Sequence, residues 1–169
     1  IKYDMNRVNF SKEIAINAAV FGSTFEALEQ MKIRGIYKFY ASTTKNIALY
    51  GFSHGAWQAF LASNLNNFDL LFFHEYMVDP KTQKPRELSF YTDYDVGVAS
   101  IYNYSEAFNN SKVSEIIVLL GESSSYSNKN FVNSVARKIN NDKVKIIFYK
   151  GGHFISRDLI KKYIIDKIW

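Results

Sequence analysis

Hydrophobic residues fall into short, nearly continuous runs along the chain, and the segments between them carry apolar residues at helical spacing. The runs predict β-strands over residues 46–50, 68–73, 113–121 and 144–149. Apolar strands that alternate with helices are typical of a parallel sheet covered on both faces. The pattern therefore predicts an α/β fold of three layers, with a mostly parallel sheet between two layers of helices.

Helical spacing predicts the outer layers. Helices are expected over residues 12–20, 24–32, 56–63, 98–108 and 156–169, and an additional strand over residues 1–7. In the second helix Phe25, Leu28 and Met31 recur three apart and form one packing face. The last helix carries apolar residues that we expect to pack together against the sheet: Leu159, Ile160, Tyr163, Ile164 and Ile168.

The composition fits one globular domain over residues 1–169. Hydrophobic residues make up 47% of the chain and aromatic residues 17%, enough for a sizeable core. The turn-rich and aromatic segment at about 79–109 interrupts the rhythm of strands and helices, and it predicts a short cap or insertion. Its aromatic side chains either line a substrate pocket or pack on the surface over the helix at 98–108.

Charge, cysteine content and the length of the apolar runs limit the partners and the location that we expect for the protein. The net charge of +5 comes from basic residues spread along the chain, so we expect no nucleic-acid partner. The chain has no cysteine, which excludes disulfides and cysteine-ligated metals and fits either a reducing compartment or a cysteine-poor proteome. No apolar run approaches the ~20 residues that span a bilayer. The first residues shown do not form a signal peptide, so a cytoplasmic location is expected.

The strongest chemical motif is Gly51-Phe52-Ser53-His54-Gly55, which lies between the predicted strand at 46–50 and the predicted helix at 56–63. A serine on a tight strand-to-helix turn projects its hydroxyl out of the fold. Glycines on both sides are expected to avoid a Cβ clash as the chain reverses. Ser53 is therefore the candidate nucleophile, with Gly51 and Gly55 as elbow glycines.

A nucleophilic serine needs a base, and the chain has three histidines. His54 adjoins the serine but points elsewhere on the turn, so we expect only its backbone N–H to contribute. His74 ends an apolar run, where a structural role is the simpler interpretation. His153 follows the predicted strand at 144–149 and a loop with two glycines, which lets its imidazole reach a neighbouring strand end. His153 is therefore the candidate general base.

Together these features resemble the α/β-hydrolase family. Residues 46–63 are similar to the central strand, elbow and following helix of that family, and residues 112–169 to its last two strands and closing helix. The Gly-Gly-His-Phe segment at 151–154 is similar to its histidine loop. Residues 1–7 are similar to an early strand, but the glycines usual there are missing. The resemblance implies a serine hydrolase of the esterase, lipase, thioesterase or peptidase type, with the triad in the order serine, acid, histidine.

The acid of the triad has more than one candidate. The resemblance places it after the strand at 113–121, where Glu122 follows a glycine, although the usual acid position falls among the serines at 123–125. Glu122 is thus either the triad acid or a solvated loop residue. Some relatives take the acid from the preceding strand, which nominates Asp79 and, as a weaker choice, Glu75. We take Glu122 as the first candidate and keep the other two.

In this mechanism His153 accepts the proton of Ser53 as the serine attacks an acyl carbonyl, and the carboxylate orients the imidazole. The N–H of His54 would be one oxyanion donor. In the family the second donor comes from an early loop, and no such loop is found in the first 45 residues. We therefore expect an N-terminal portion to be missing. The chemistry needs no metal and no cofactor, and it predicts a small-molecule, acyl or peptide substrate.

Two other interpretations stay open at the level of sequence. The first is a non-catalytic α/β-hydrolase-like binding domain. It is favoured because the triad acid has no clear match to the family pattern and because the loop for the second oxyanion donor is absent. The second is a Rossmann-like nucleotide binder, which would need a glycine-rich phosphate loop after the first strand, and the chain has none there. The substrate and the oligomeric state are left open by the sequence.

Overall fold

The structure is a computed structural model that describes residues 25–77 and 103–168. Within these ranges the strands are β1 (Ala48–Phe52), β2 (Leu70–His74), β3 (Glu115–Gly121) and β4 (Val144–Tyr149). They form one parallel sheet in the order β1-β2-β3-β4. All four predicted strands are confirmed, with shifts of a few residues at their ends.

Helices flank the sheet. They are α1 (Phe25–Ala41), α2 (His54–Leu65), α3 (Tyr104–Asn110), α4 (Lys129–Ala136) and α5 (Arg157–Ile160), then a π-helical turn (Lys161–Ile165) and α6 (Asp166–Ile168). Helix α1 runs nine residues past its predicted end at residue 32, and α4 was not predicted. The strand predicted at 1–7, the helix predicted at 12–20 and most of the cap expected at 79–109 lie outside the described residues.

Each face of the sheet carries its own apolar core, because successive side chains of a strand point to opposite faces. On one face Leu71 and Phe73 of β2 pack with buried residues of α2, α3 and α4. On the other face Phe72 packs with Ile164 and other residues of the C-terminal helical segment. The predicted three-layer arrangement is therefore confirmed.

The C-terminal helical segment differs from its prediction at one position. Ile164 is buried, and Leu159, Ile160 and Tyr163 pack against the core, as expected. Ile168 is 47% exposed and does not join them, because the π-helical turn changes the angular spacing between Ile164 and the residues that follow it. None of the helices within 25–77 and 103–168 combines the length and apolar character needed to cross a bilayer.

Strand register brings the segments that follow β1, β2, β3 and β4 to one edge of the sheet. Phe52 at the end of β1 pairs with His74 at the end of β2, and Gly121 at the end of β3 pairs with Tyr149 at the end of β4. Because the strands are parallel, the residues that follow all of them emerge at the same edge. In open parallel sheets this carboxyl edge is where ligand sites form.

Candidate active site

Ser53 lies on the sharp turn between β1 and α2. Its backbone angles are φ 55° and ψ −128°, a region that non-glycine residues rarely adopt. Its N–H donates to the carbonyl oxygen of His74 at 2.9 Å, so the β1–β2 ladder continues into the turn. Strained backbone of this kind persists only where the surrounding fold imposes it, and it is found at active sites. The local geometry resembles that of a nucleophile elbow.

The two elbow glycines have different roles. A Cβ at Gly51 would overlap the carbonyl oxygen of Gly55 and the Cα of Ala56, so the chain can turn only if residue 51 has no side chain. A Cβ at Gly55 would have no described atom within 4 Å. The steric requirement predicted for Gly55 is therefore wrong. Gly55 lies near the exposed start of α2, where the turn has already been completed.

Glu75 directly follows β2 and is fully buried. Its φ of 61° is also positive, which turns its side chain back along the carboxyl edge. Oxygen Oε1 accepts hydrogen bonds from the backbone N–H of Gly121 and from the hydroxyl of Tyr149, the latter at 3.0 Å. A buried carboxylate is costly unless such donors satisfy it. The second oxygen, Oε2, has no hydrogen-bond partner within the described part of the chain and is available for another group.

That other group is the imidazole of His153. Nδ1 of His153 lies 3.5 Å from Oε2 of Glu75, and both atoms are buried. The separation is longer than an ideal hydrogen bond. Neither atom has a hydrogen-bond partner among the described residues, so a small rotation that pairs them removes two unsatisfied polar atoms at once. The arrangement leaves Nε2 as the nitrogen that can serve a nucleophile.

Aromatic rings hold His153 beside the elbow. Its ring centroid lies 4.8 Å from that of Phe52 and 4.5 Å from that of Tyr126. Because Phe52 immediately precedes Ser53, the imidazole and the elbow share one end of the sheet. The Ser53 hydroxyl forms no hydrogen bond with His153 within the described ranges. Catalytic hydrogen bonds are often long in unliganded enzymes and tighten when substrate binds.

The other acid candidates are placed differently. Glu122 is exposed, and the structure shows no ion pair between it and His153. Its backbone N–H continues the sheet by donating to the carbonyl of Tyr149 at 3.0 Å. Asp79 lies outside the described residues. The structure thus brings together His153 and Glu75, the weakest of the three sequence candidates.

His74 and Tyr149 form a buried polar chain behind the acid. Nδ1 of His74 lies 2.8 Å from the hydroxyl of Tyr50, and Nε2 lies 3.1 Å from the hydroxyl of Tyr149. Burial, and then the charge of His153, lowers the pKa of His74 to about 4. Burial, and then the charge of Glu75, raises the pKa of Tyr149 above its usual range. Sequence reasoning treated Tyr149 only as part of an apolar strand. The available signal was that Tyr149 places a hydroxyl at the carboxyl end of a predicted buried strand.

His54 is the first residue of α2, at a helix start where backbone N–H groups point out of the helix. Its location suits the oxyanion-donor role predicted for it. Within the residues that the structure describes, no group of three or more His, Cys, Asp or Glu side chains is arranged to hold a metal ion.

Solved structures share this fold. Esterase Pf2001 from Pyrococcus furiosus matches with a TM-score of 0.54 at 14% identity, over 81% of this chain and 56% of the esterase. Est1E from Butyrivibrio proteoclasticus matches at 0.58 and 14% identity, over 82% of this chain and 69% of Est1E. E-2-(acetamidomethylene)succinate hydrolase matches at 0.56 and 12% identity, over 82% of this chain and 72% of that hydrolase.

Neither a protein-family model nor a curated protein sequence matches the chain. At such low identities the structural similarities show the fold alone, and that fold is the α/β-hydrolase fold. The chain spans little more than half the length of the Pyrococcus esterase.

Proposed function

We propose that the protein is a serine hydrolase that cleaves an ester, thioester or amide bond through an acyl-enzyme, with Ser53, His153 and Glu75 as its triad. The observation that carries the proposal is the buried carboxylate of Glu75, 3.5 Å from Nδ1 of an imidazole that packs beside a strained serine turn. Burial of a carboxylate is costly unless partners compensate it, and such groups are concentrated at functional sites.

In the proposed reaction, Nε2 of His153 takes the hydroxyl proton of Ser53 as Oγ forms a bond to the acyl carbon. The carbonyl oxygen becomes an oxyanion, and the N–H of His54 donates to it. His153 then gives the proton to the leaving group as the bond between the acyl carbon and that group breaks. Water repeats the sequence on the acyl-enzyme, and Glu75 stabilises the charged imidazole at each stage.

The names of the similar structures guide the choice of first substrate. One of them is called an esterase, and another is called a hydrolase of E-2-(acetamidomethylene)succinate. An ester is therefore the bond to test first, in a small-molecule or acyl substrate. We propose the cytoplasm as its compartment, which a chain without cysteine fits.

A fluorophosphonate probe tests the proposal without knowledge of the substrate, because it phosphonylates only an activated serine. We expect one label per chain in the wild-type protein and none in Ser53→Ala. The matched control is Ser134→Ala, which removes an exposed hydroxyl on α4 that binds only the carbonyl of Phe131. A folded wild-type protein that takes no label would contradict the proposal and favour a non-catalytic binding domain.

A further inference from the structure

The hydroxyl of Tyr149 lies within hydrogen-bond distance of three polar groups. It is 3.0 Å from Oε1 of Glu75 after β2, 3.0 Å from the carbonyl of Gly152 in the histidine loop, and 3.1 Å from Nε2 of His74 at the end of β2. Tyr149 is itself 3% exposed. The triad mechanism makes no use of this group, yet the group contacts both the acid and the loop that carries the base.

The direction of the hydrogen bonds follows from counting protons. A phenol has one proton to give, and both the Glu75 carboxylate and the Gly152 carbonyl can only accept. The hydroxyl therefore donates to one of them and receives its own hydrogen bond from His74. A charged acceptor forms the stronger bond, so the proton of Tyr149 goes to Glu75.

This direction assigns the tautomer of His74. Its proton must be on Nε2, which faces Tyr149, so Nδ1 accepts from the hydroxyl of Tyr50 at 2.8 Å. The low pKa of His74 agrees, because a neutral imidazole both donates and accepts. The chain of donors runs from Tyr50 through His74 and Tyr149 to Glu75, whose other oxygen faces His153.

We propose that Tyr149 is a positioning residue whose hydroxyl fixes the Glu75 carboxylate against Nδ1 of His153. The effect of this positioning on catalysis rests on the proposed function. Without the hydroxyl, Oε1 keeps only the N–H of Gly121, and the carboxylate can rotate away from the imidazole. The titratable groups that face this cluster are Tyr50 on β1, His74 on β2 and His153 after β4.

Nitrogen NMR measures the contact in the protein without requiring activity. Long-range ¹H–¹⁵N correlations at about pH 8, above the usual histidine range, report which ring nitrogen carries the proton. We expect His153 to carry it on Nδ1 and His74 on Nε2. In Tyr149→Phe, His153 should shift towards the Nε2–H form. The control Tyr37→Phe, which removes a hydroxyl bonded to the Asn67 carbonyl far from the site, should leave both tautomers unchanged.

Two results would overturn the inference. One is a His74 proton on Nδ1 in the wild-type protein, which requires no variant to fold. The other is an unchanged His153 tautomer in folded Tyr149→Phe.

Kinetics separate positioning from a general structural effect. Loss of one hydrogen bond to a charged group should lower the rate of fluorophosphonate labelling by about 10-fold or more in Tyr149→Phe. In a Glu75→Gln background the same substitution should change the rate by less than about 2-fold, because Tyr149 acts through Glu75. If Tyr149→Phe lowered the labelling rate by the same factor in the Glu75→Gln background as in the wild-type protein, the positioning role would be contradicted.

The two proposals fail in different ways. A folded protein that shows the expected tautomers but takes no label rejects the hydrolase function. A protein that is labelled at Ser53 but shows no tautomer change in Tyr149→Phe rejects only the role of Tyr149.

Discussion

Ser53 and Glu75 occupy equivalent positions on neighbouring strands. The residues before them, Phe52 and His74, are register partners, and both Ser53 and Glu75 have positive φ, 55° and 61°. They are the non-glycine residues with positive φ in the described ranges. Such backbone costs about 1–3 kcal/mol per residue and is retained where a side chain must be aimed. A residue with positive φ thus follows each strand, with a hydroxyl at one strand end and a carboxylate at the next.

The placement of Glu75 predicts which carboxylate is needed for activity. Glu75→Gln keeps the size of the side chain but removes the charge that stabilises the imidazolium, so kcat should fall by about 10²–10⁴-fold. Glu122→Gln, the matched control on an exposed loop, should stay within about 2-fold of wild type. Hydrolysis of a p-nitrophenyl ester measures both. A large loss in Glu122→Gln with normal activity in Glu75→Gln would reverse the assignment.

The elbow glycines predict opposite effects of the same substitution. Gly51→Ala places a methyl group into the backbone of Gly55 and Ala56, a clash that no rotamer relieves, and it should cost about 3 kcal/mol or more. Gly55→Ala adds a methyl group in open space near the start of α2, and it should raise the free energy of unfolding by up to about 1 kcal/mol. Urea denaturation compares the two variants. Equal destabilisation would show that the turn is built differently.

Burial of His74 predicts a loss of stability in mild acid. The unfolded chain takes up a proton at this residue near pH 6.5, whereas the folded protein resists protonation until about pH 4. The free energy of unfolding should therefore decrease as the pH falls from about 6.5 to about 4, by roughly 3 kcal/mol from this residue.

Urea denaturation at several pH values measures this dependence. His74→Gln keeps a donor and an acceptor but cannot titrate, so the pH slope in this window should be smaller in the variant. An unchanged slope would contradict the assignment of this pH dependence to His74.

The elbow was predictable from the sequence because it is local. Strand, turn and helix follow one another within 18 residues, so apolar runs and two glycines were enough to nominate Ser53. Helix α4 was missed because Lys129–Ala136 is short and buries only Val132 and Val135. Its start depends instead on the side chain of Asn128, which accepts hydrogen bonds from two backbone N–H groups.

The proposed acid was harder to predict because its position is non-local. Glu122 follows a glycine on the strand that the family resemblance indicates, whereas Glu75 follows an apolar run with no distinguishing signal. Which carboxylate meets His153 depends on the register of β2, β3 and β4 and on the positive φ of Glu75. Neither property can be read from a single sequence. The role suggested for Tyr149 depends on the same register.

Trapping the acyl-enzyme tests the proposed reaction of Ser53 and His153 most directly. The protein is mixed with p-nitrophenyl acetate, the reaction is stopped with acid, and the modified peptide is identified by mass spectrometry. We predict one acetyl group per chain, on Ser53, with little or none in His153→Ala. An acetyl group on another residue, or a folded protein that releases no p-nitrophenol and carries no adduct, would contradict the account.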